Sequence, residues 1–139
     1  SEISAAFLLA QLENINNVSS KRVELYQLYQ NLLSPLKEKG LVDFPSNTNK
    51  HNAHIFFIKV KSNQERTRLI TFLKQKGVSA YFHYLPLHLS DMGAGFGFVK
   101  EDTDITTNQS ECLVRFPLYY SMSTKQVETV VSYIESFYN

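Results

Sequence analysis

The sequence predicts an α+β fold: a long N-terminal helix, then β-α-β-loop-β-α, with a small sheet carrying its helices on one face. Three observations predict it. Residues 2–33 place apolar side chains at helical spacing with no Gly or Pro until Pro35. Short runs rich in β-branched and aromatic residues recur at 54–60, 78–82 and 112–116. Ser62 with Glu65, and Ser123 with Gln126, have the spacing of capping boxes that open helices. At 139 residues and 43% hydrophobic content, one domain with its own core is expected.

The first helix is unusual. Ala5, Leu8, Leu9, Leu12 and Ile15 form one stripe, while Ile3, Ala6, Phe7 and Ala10 make the opposite face apolar too. A helix apolar all round wants cover all round, and a helix at one end of a small domain can rarely be surrounded. A covering partner is therefore expected, either a further N-terminal domain or another subunit; the Ser rather than Met at position 1 fits the same expectation. The polar stretch Asn14 to Ser20 reads as a kink or break, after which Leu25, Leu28, Tyr29 and Leu32 continue an apolar stripe to about Leu33.

His54 to Val60 reads as a strand, central or nearly so in the sheet. The helix opened by Ser62 buries Leu69, Ile70 and Leu73 and stops at Gly77. Val78 to Phe82 forms the next strand, with Val78, Ala80 and Phe82 on one face and Ser79, Tyr81 and His83 on the other. Ser90 to Asn108 reads as a mobile loop. Its Gly93-Ala94-Gly95-Phe96-Gly97 run lacks the G-x-G-x-x-G spacing of a phosphate cradle. Cys112 to Phe116 is the third strand, ended by Pro117, and Val127, Val130, Val131 and Ile134 give the last helix its core face.

The formal net charge of +1 provides no field for a polyanion, so nucleic acid is excluded as a main partner. No apolar run reaches the roughly 20 residues that cross a bilayer, and Cys112 is the only cysteine, which fits a reducing cytoplasm. Two of the four histidines, His83 and His88, fall within six residues, beside Tyr84 and a rigidifying Pro86. Imidazole titrates near neutrality, so this cluster reads as one wall of a cleft for a polar ligand. His51-x-x-His54 with His83-x4-His88 could also offer four metal nitrogens. No nearby Asp or Cys completes a usual ligand set, so no metal is expected. Arg115 reads first as a member of an ordinary ion pair and second as a contact for a carboxylate or phosphate.

Four motifs carry a resemblance. Ser1-Glu2-Ile3-Ser4-Ala5-Ala6-Phe7-Leu8-Leu9-Ala10-Gln11-Leu12-Glu13, Asn52-Ala53-His54-Ile55-Phe56-Phe57-Ile58-Lys59, Phe82-His83-Tyr84-Leu85-Pro86-Leu87-His88 and Arg115-Phe116-Pro117-Leu118-Tyr119 occur in that order. Together they resemble the C-terminal domain of the pyridoxal phosphate (PLP) dependent sugar aminotransferases of the DegT/DnrJ/EryC1/StrS family, over essentially the whole chain. The resemblance implies that residues 1–139 are the small domain of a fold-type I aminotransferase. Residues 1–33 would be its interdomain helix region, and the large PLP-binding domain would lie outside the chain.

The motifs are most similar to family members that move an amino group from glutamate to C4 of TDP-4-keto-6-deoxy-D-glucose. That reaction gives TDP-4-amino-4,6-dideoxy-D-galactose for cell-surface polysaccharides such as enterobacterial common antigen. The resemblance further implies a cytoplasmic homodimer in which His54, His83, Tyr84 and His88 bind substrate. It supplies no catalytic residue here: none of Lys21, Lys37, Lys39, Lys50, Lys59, Lys61, Lys74, Lys76, Lys100 or Lys125 sits at the family's Schiff-base motif. The chain alone is accordingly expected to hold no PLP and to transfer no amino group. Without the resemblance, the residues also fit a free-standing α+β binding or regulatory module.

Overall fold

The computed structural model describes residues 1–46, 51–97 and 105–139. The α+β architecture is as expected. Helices α1 (Glu2–Glu13) and α2 (Ile15–Glu38) lead into strand β1 (Phe56–Lys59), helix α3 (Asn63–Gln75) and strand β2 (Tyr81–Phe82). A 3-10 turn (Leu87–Leu89) and short helices α4 (Asp91–Ala94) and α5 (Ile105–Glu111) precede strand β3 (Leu113–Phe116) and helix α6 (Thr124–Tyr138). The sheet order is β1-β3-β2, and β3 is antiparallel to both neighbours.

The long helix breaks at Asn14, at the start of the stretch expected to kink or break: its φ of −102° and ψ of 7° leave helical geometry, and its N–H caps Gln11 and Leu12. Other expectations need correction. The second helix runs past Leu33 and through Pro35 to Glu38. Proline here forfeits one hydrogen bond in the last turn, while burial of Leu33 and Leu36 holds that turn against the core. Gly40, at φ +65°, then closes a Schellman motif: its N–H donates to the Lys37 carbonyl and the Leu41 N–H to that of Leu36. Gly77 does the same for α3, with the Gly77 N–H on Lys74 and the Val78 N–H on Leu73.

The first strand is an edge strand, and β3 takes the centre. The strand-helix-strand reading missed that β3 inserts between β1 and β2. Both strands are also shorter than predicted, because His54, Ile55, Val78, Ser79 and Ala80 run alongside the sheet without ladder pairing. Part of the predicted mobile loop is helical. Ser90 accepts the Gly93 N–H at 3.0 Å and caps α4, and a Cβ on Gly93 would stand 1.7 Å from the Leu87 carbonyl oxygen. Glycine is required by that close approach. Residues 98–104 of the predicted loop, together with Lys50 and Lys100, lie outside the described residues.

One side of the sheet is sealed. Phe56, Ile58, Val114 and Phe116 alternate onto it and join Leu25, Tyr29 and Leu33 from α2, Leu69 and Leu73 from α3, and Val127, Val130, Val131 and Ile134 from α6. Tyr29 stacks on Phe56 at 4.7 Å with planes 10° apart, and its hydroxyl donates to the Pro117 carbonyl at 3.0 Å. Burial, with Tyr119 beside it, pushes the Tyr29 phenol pKa well up. The predicted core faces of α3 and α6 hold, except that Ile70 is only half-buried. The Ser123 and Gln126 capping box is formed in full. At Ser62 the hydroxyl accepts the Glu65 N–H, but the Glu65 carboxylate takes the N–H of Lys61 instead of Ser62.

Helix α1 differs from all of this. None of its residues is buried, and Ile3 and Phe7 are 83% and 70% exposed. Among the described residues no helix is long and apolar enough to cross a membrane.

Candidate functional site

The other side of the sheet is open. Strand alternation turns Phe57 and Lys59 of β1, Leu113 and Arg115 of β3, and Tyr81 of β2 onto it, with Phe57, Arg115 and Tyr81 aligned across the three strands. The side-chain split predicted for Ser79, Tyr81 and His83 places His83 here too, and its ring stacks on Phe57 with centroids 6.1 Å apart and planes 10° apart. Tyr84 tilts onto His83 at 4.3 Å. To do so it takes φ +65°, a left-handed conformation that costs a tyrosine about 1–3 kcal/mol. Such strain concentrates at ligand clamps.

His54 reaches the same region from the approach to β1. Its ring Nδ1 lies 3.0 Å from the Asn52 carboxamide oxygen, which also accepts the His54 N–H at 3.2 Å. Arg22 of α2 donates to the His54 carbonyl at 2.8 Å. Ala53, at φ +47° and buried, makes the bend that delivers His54 to the sheet margin. An open cavity of about 350 Å³ results, lined by His54, Ser79, Tyr81, Arg115, Pro117 and Tyr119 among others. Burial first, and then the Arg115 and His54 charges, hold the His83 pKa below its ordinary 6.5. Its Nδ1 is shut off from solvent with no hydrogen-bond partner among the described residues.

The structure thus brings His54, His83 and Tyr84 to one margin of the sheet. His88 is directed elsewhere: in the 3-10 turn its Nε2 lies 3.0 Å from the Thr107 hydroxyl of α5. His51 packs its ring against Tyr26 at 4.6 Å. No three or more His, Cys, Asp or Glu side chains come together as metal ligands among the described residues. Arg115 departs from its first reading. No ion pair or hydrogen bond is formed by its side chain among the described residues. Phe57 and Tyr119 were not singled out as site residues, although the Phe-Phe pair of β1 must put one ring on each face.

Residues 1–135 match the DegT/DnrJ/EryC1/StrS aminotransferase family. The chain belongs to this family. It is 28% identical over 141 residues to the UDP-4-amino-4-deoxy-L-arabinose--oxoglutarate aminotransferase of Shewanella sediminis (strain HAW-EB3), covering 96% of this chain and 36% of that protein. It is 26% identical over 136 residues to the spore coat polysaccharide biosynthesis protein SpsC of Bacillus subtilis (strain 168), covering 94% of this chain and 34% of that protein. The chain spans about a third of the length of these curated relatives.

Solved structures share the fold. DesV of S. venezuelae, in complex with a ketimine intermediate, superposes with a TM-score of 0.83 at 20% identity, over 96% of this chain and 35% of that one. Spr1654 from Streptococcus pneumoniae in its PLP-form gives 0.80 at 20% identity, over 98% and 35%. The family is one of PLP-dependent sugar aminotransferases, and the chain corresponds to about a third of such a protein.

Proposed function

We propose that the chain is the C-terminal small domain of a sugar aminotransferase that moves an amino group from glutamate to C4 of TDP-4-keto-6-deoxy-D-glucose. The product is TDP-4-amino-4,6-dideoxy-D-galactose, for a cell-surface polysaccharide such as enterobacterial common antigen. The observation that carries the aminotransferase part of the reading is a family match running from residue 1 to 135 on a chain that spans a third of its relatives' length, while the choice of sugar rests on the resemblance of the four motifs. The enzyme works in the cytoplasm as a homodimer, with residues 1–33 as the region joining the large domain. The exposed apolar faces of α1 support this role, since burying them against the large domain removes Ile3, Phe7, Leu8, Leu9 and Leu12 from water.

PLP supplies an electron sink for amino transfer, and the protein supplies orientation and electrostatics. Among the described residues the open face offers rings and cations, and the Asp43 carboxylate beside it is paired with Lys37 at 2.9 Å, which supports placing the cofactor outside this chain. In this reading the cofactor belongs to the large domain, and the small domain closes the cleft over the substrate. His54, His83 and Tyr84 face the sugar nucleotide, and His88 acts at one remove, tying the segment after Tyr84 to α5.

The test is direct. The full-length protein, loaded with PLP, should convert TDP-4-keto-6-deoxy-D-glucose and glutamate into the 4-amino product and 2-oxoglutarate, detected by mass spectrometry and NMR. Turnover of UDP-linked keto sugars alone would move the enzyme to another substrate branch. A PLP absorbance band in the 139-residue chain, bleached by glutamate, would overturn the division of labour between the domains.

A further inference from the structure

We infer that Arg115 is an oxyanion-binding residue, receiving a carboxylate or phosphate group of a substrate on the open face of the sheet. The inference rests on the transaminase reading for the identity of that substrate and on the geometry for everything else. Arg115 sits on the middle strand, half-buried, with Phe57 opposite it on one side and Tyr81 on the other. Two of the other three arginines have partners, Arg22 on the His54 carbonyl and Arg66 on Asn63 and over the Phe82 ring, and the third, Arg68, is exposed to solvent. Arg115 forms neither a hydrogen bond nor an ion pair among the described residues, yet it lines a cavity of about 350 Å³.

A partly desolvated cation without a counter-charge is costly, and the cost is relieved when an anion arrives. Arg115 lies close enough to His83 to lower its pKa, and His54 lowers it too. Both act on His83 as positive charge, so the field they make there favours an anion. The second unpartnered polar atom of this face, the shielded Nδ1 of His83, adds a further group that can serve an incoming ligand. The planar guanidinium fork matches carboxylate and phosphate oxygens two at a time, which lysine cannot do. Both substrates of the proposed reaction carry such a group: glutamate its carboxylates, the sugar nucleotide its diphosphate.

Calorimetric titration of the full-length protein with glutarate and with inorganic pyrophosphate separates the two sources. Wild type should bind at least one probe, and R115Q should lose about 10- to 100-fold in that affinity, with R115K between them. An effect confined to glutarate, matched by a raised KM for glutamate, assigns Arg115 to the amino donor. An effect confined to pyrophosphate, matched by a raised KM for the sugar nucleotide, assigns it to the diphosphate. If wild type binds neither probe, or if R115Q with an unchanged circular dichroism spectrum binds both as wild type does, the inference is overturned. Should R115Q not fold, R115K decides by the same readout: weakened probe binding supports the inference and wild-type binding overturns it. Arg115-dependent binding in a protein that aminates no keto sugar defeats the transaminase reading alone. Active transamination with wild-type KM values in R115Q defeats this inference alone.

Discussion

The two faces of the three-stranded sheet are built from the same strands and share almost nothing else. On the sealed face Phe56, Ile58, Val114 and Phe116 are at most 3% exposed and meet three helices. On the open face Phe57, Lys59, Leu113 and Arg115 are half-exposed, and among the described residues no hydrogen bond or ion pair holds either cation's side chain. Adjacent residues of one strand therefore do different jobs. The sealed face carries stability, and the open face presents rings and cations outward, which is the basis of the proposed ligand site. Helix α1 extends the contrast, with apolar residues at core-like spacing and none of them in the core.

The sharpest way to break this division is to exchange neighbours. Phe56→Ala should cost about 3–5 kcal/mol, because it removes a ring packed against Tyr29, Tyr26 and Phe44 and leaves a cavity. Phe57→Ala should cost less than about 1 kcal/mol, since its ring is half-solvated and among the described residues stacks on His83 alone. Urea unfolding of the two variants side by side measures the difference. Equal losses would mean that the open face is structural and would remove the basis for a ligand site there.

A smaller effect sits at the hinge between the faces. Tyr29→Phe keeps the stacked ring but deletes the hydroxyl that holds the Pro117 carbonyl, and should cost about 1 kcal/mol. Because Pro117 follows β3 and lines the Arg115 cavity, the same substitution should loosen that wall. Hydrogen exchange at the Leu118 and Tyr119 amides reads this out, and unchanged exchange together with an unchanged urea midpoint would detach the core from the site.

Much of the sealed face was legible in the sequence. Helical spacing located Leu25 and Tyr29, Leu69 and Leu73, and all four core residues of α6, because periodicity reports directly which side of an element meets apolar neighbours. Strand order was not legible. Inserting β3 between β1 and β2 is a non-local choice, and a Phe-Phe-Ile-Lys run fits an edge as well as a centre when one face is covered. The Ser90 to Asn108 stretch misled for a different reason: its helical turns rest on a side-chain cap at Ser90 and on the close approach of Gly93 to Leu87. At the open face the residue types were readable and their partners were not. Arg115 looked like half of an ion pair because exposed arginines commonly are, and only the fold shows which carboxylates come near. His83 and His88 stand five residues apart in the chain, but the 3-10 turn that carries His88 sends it toward Thr107.

The gentlest test of the open face is its charge. The His83 pKa is lowered first by burial and then by Arg115 and His54, so its imidazole should titrate below 6.5 when followed by NMR of the ring protons. The unfolded chain, with an ordinary histidine, binds the proton first as the pH falls. Through the window from about 6.5 down to the folded value the unfolded state therefore holds more protons, and stability must decline as pH decreases. Below the folded value this decline levels off. Arg115→Gln removes one of the three causes and should move the titration part of the way back toward 6.5, while burial and His54 keep it from returning fully. His83→Gln should abolish this component of the pH dependence. A His83 that titrates at 6.5 or above in the wild-type protein would mean that a negative group faces it, and the positive character assigned to the open face would fail with it.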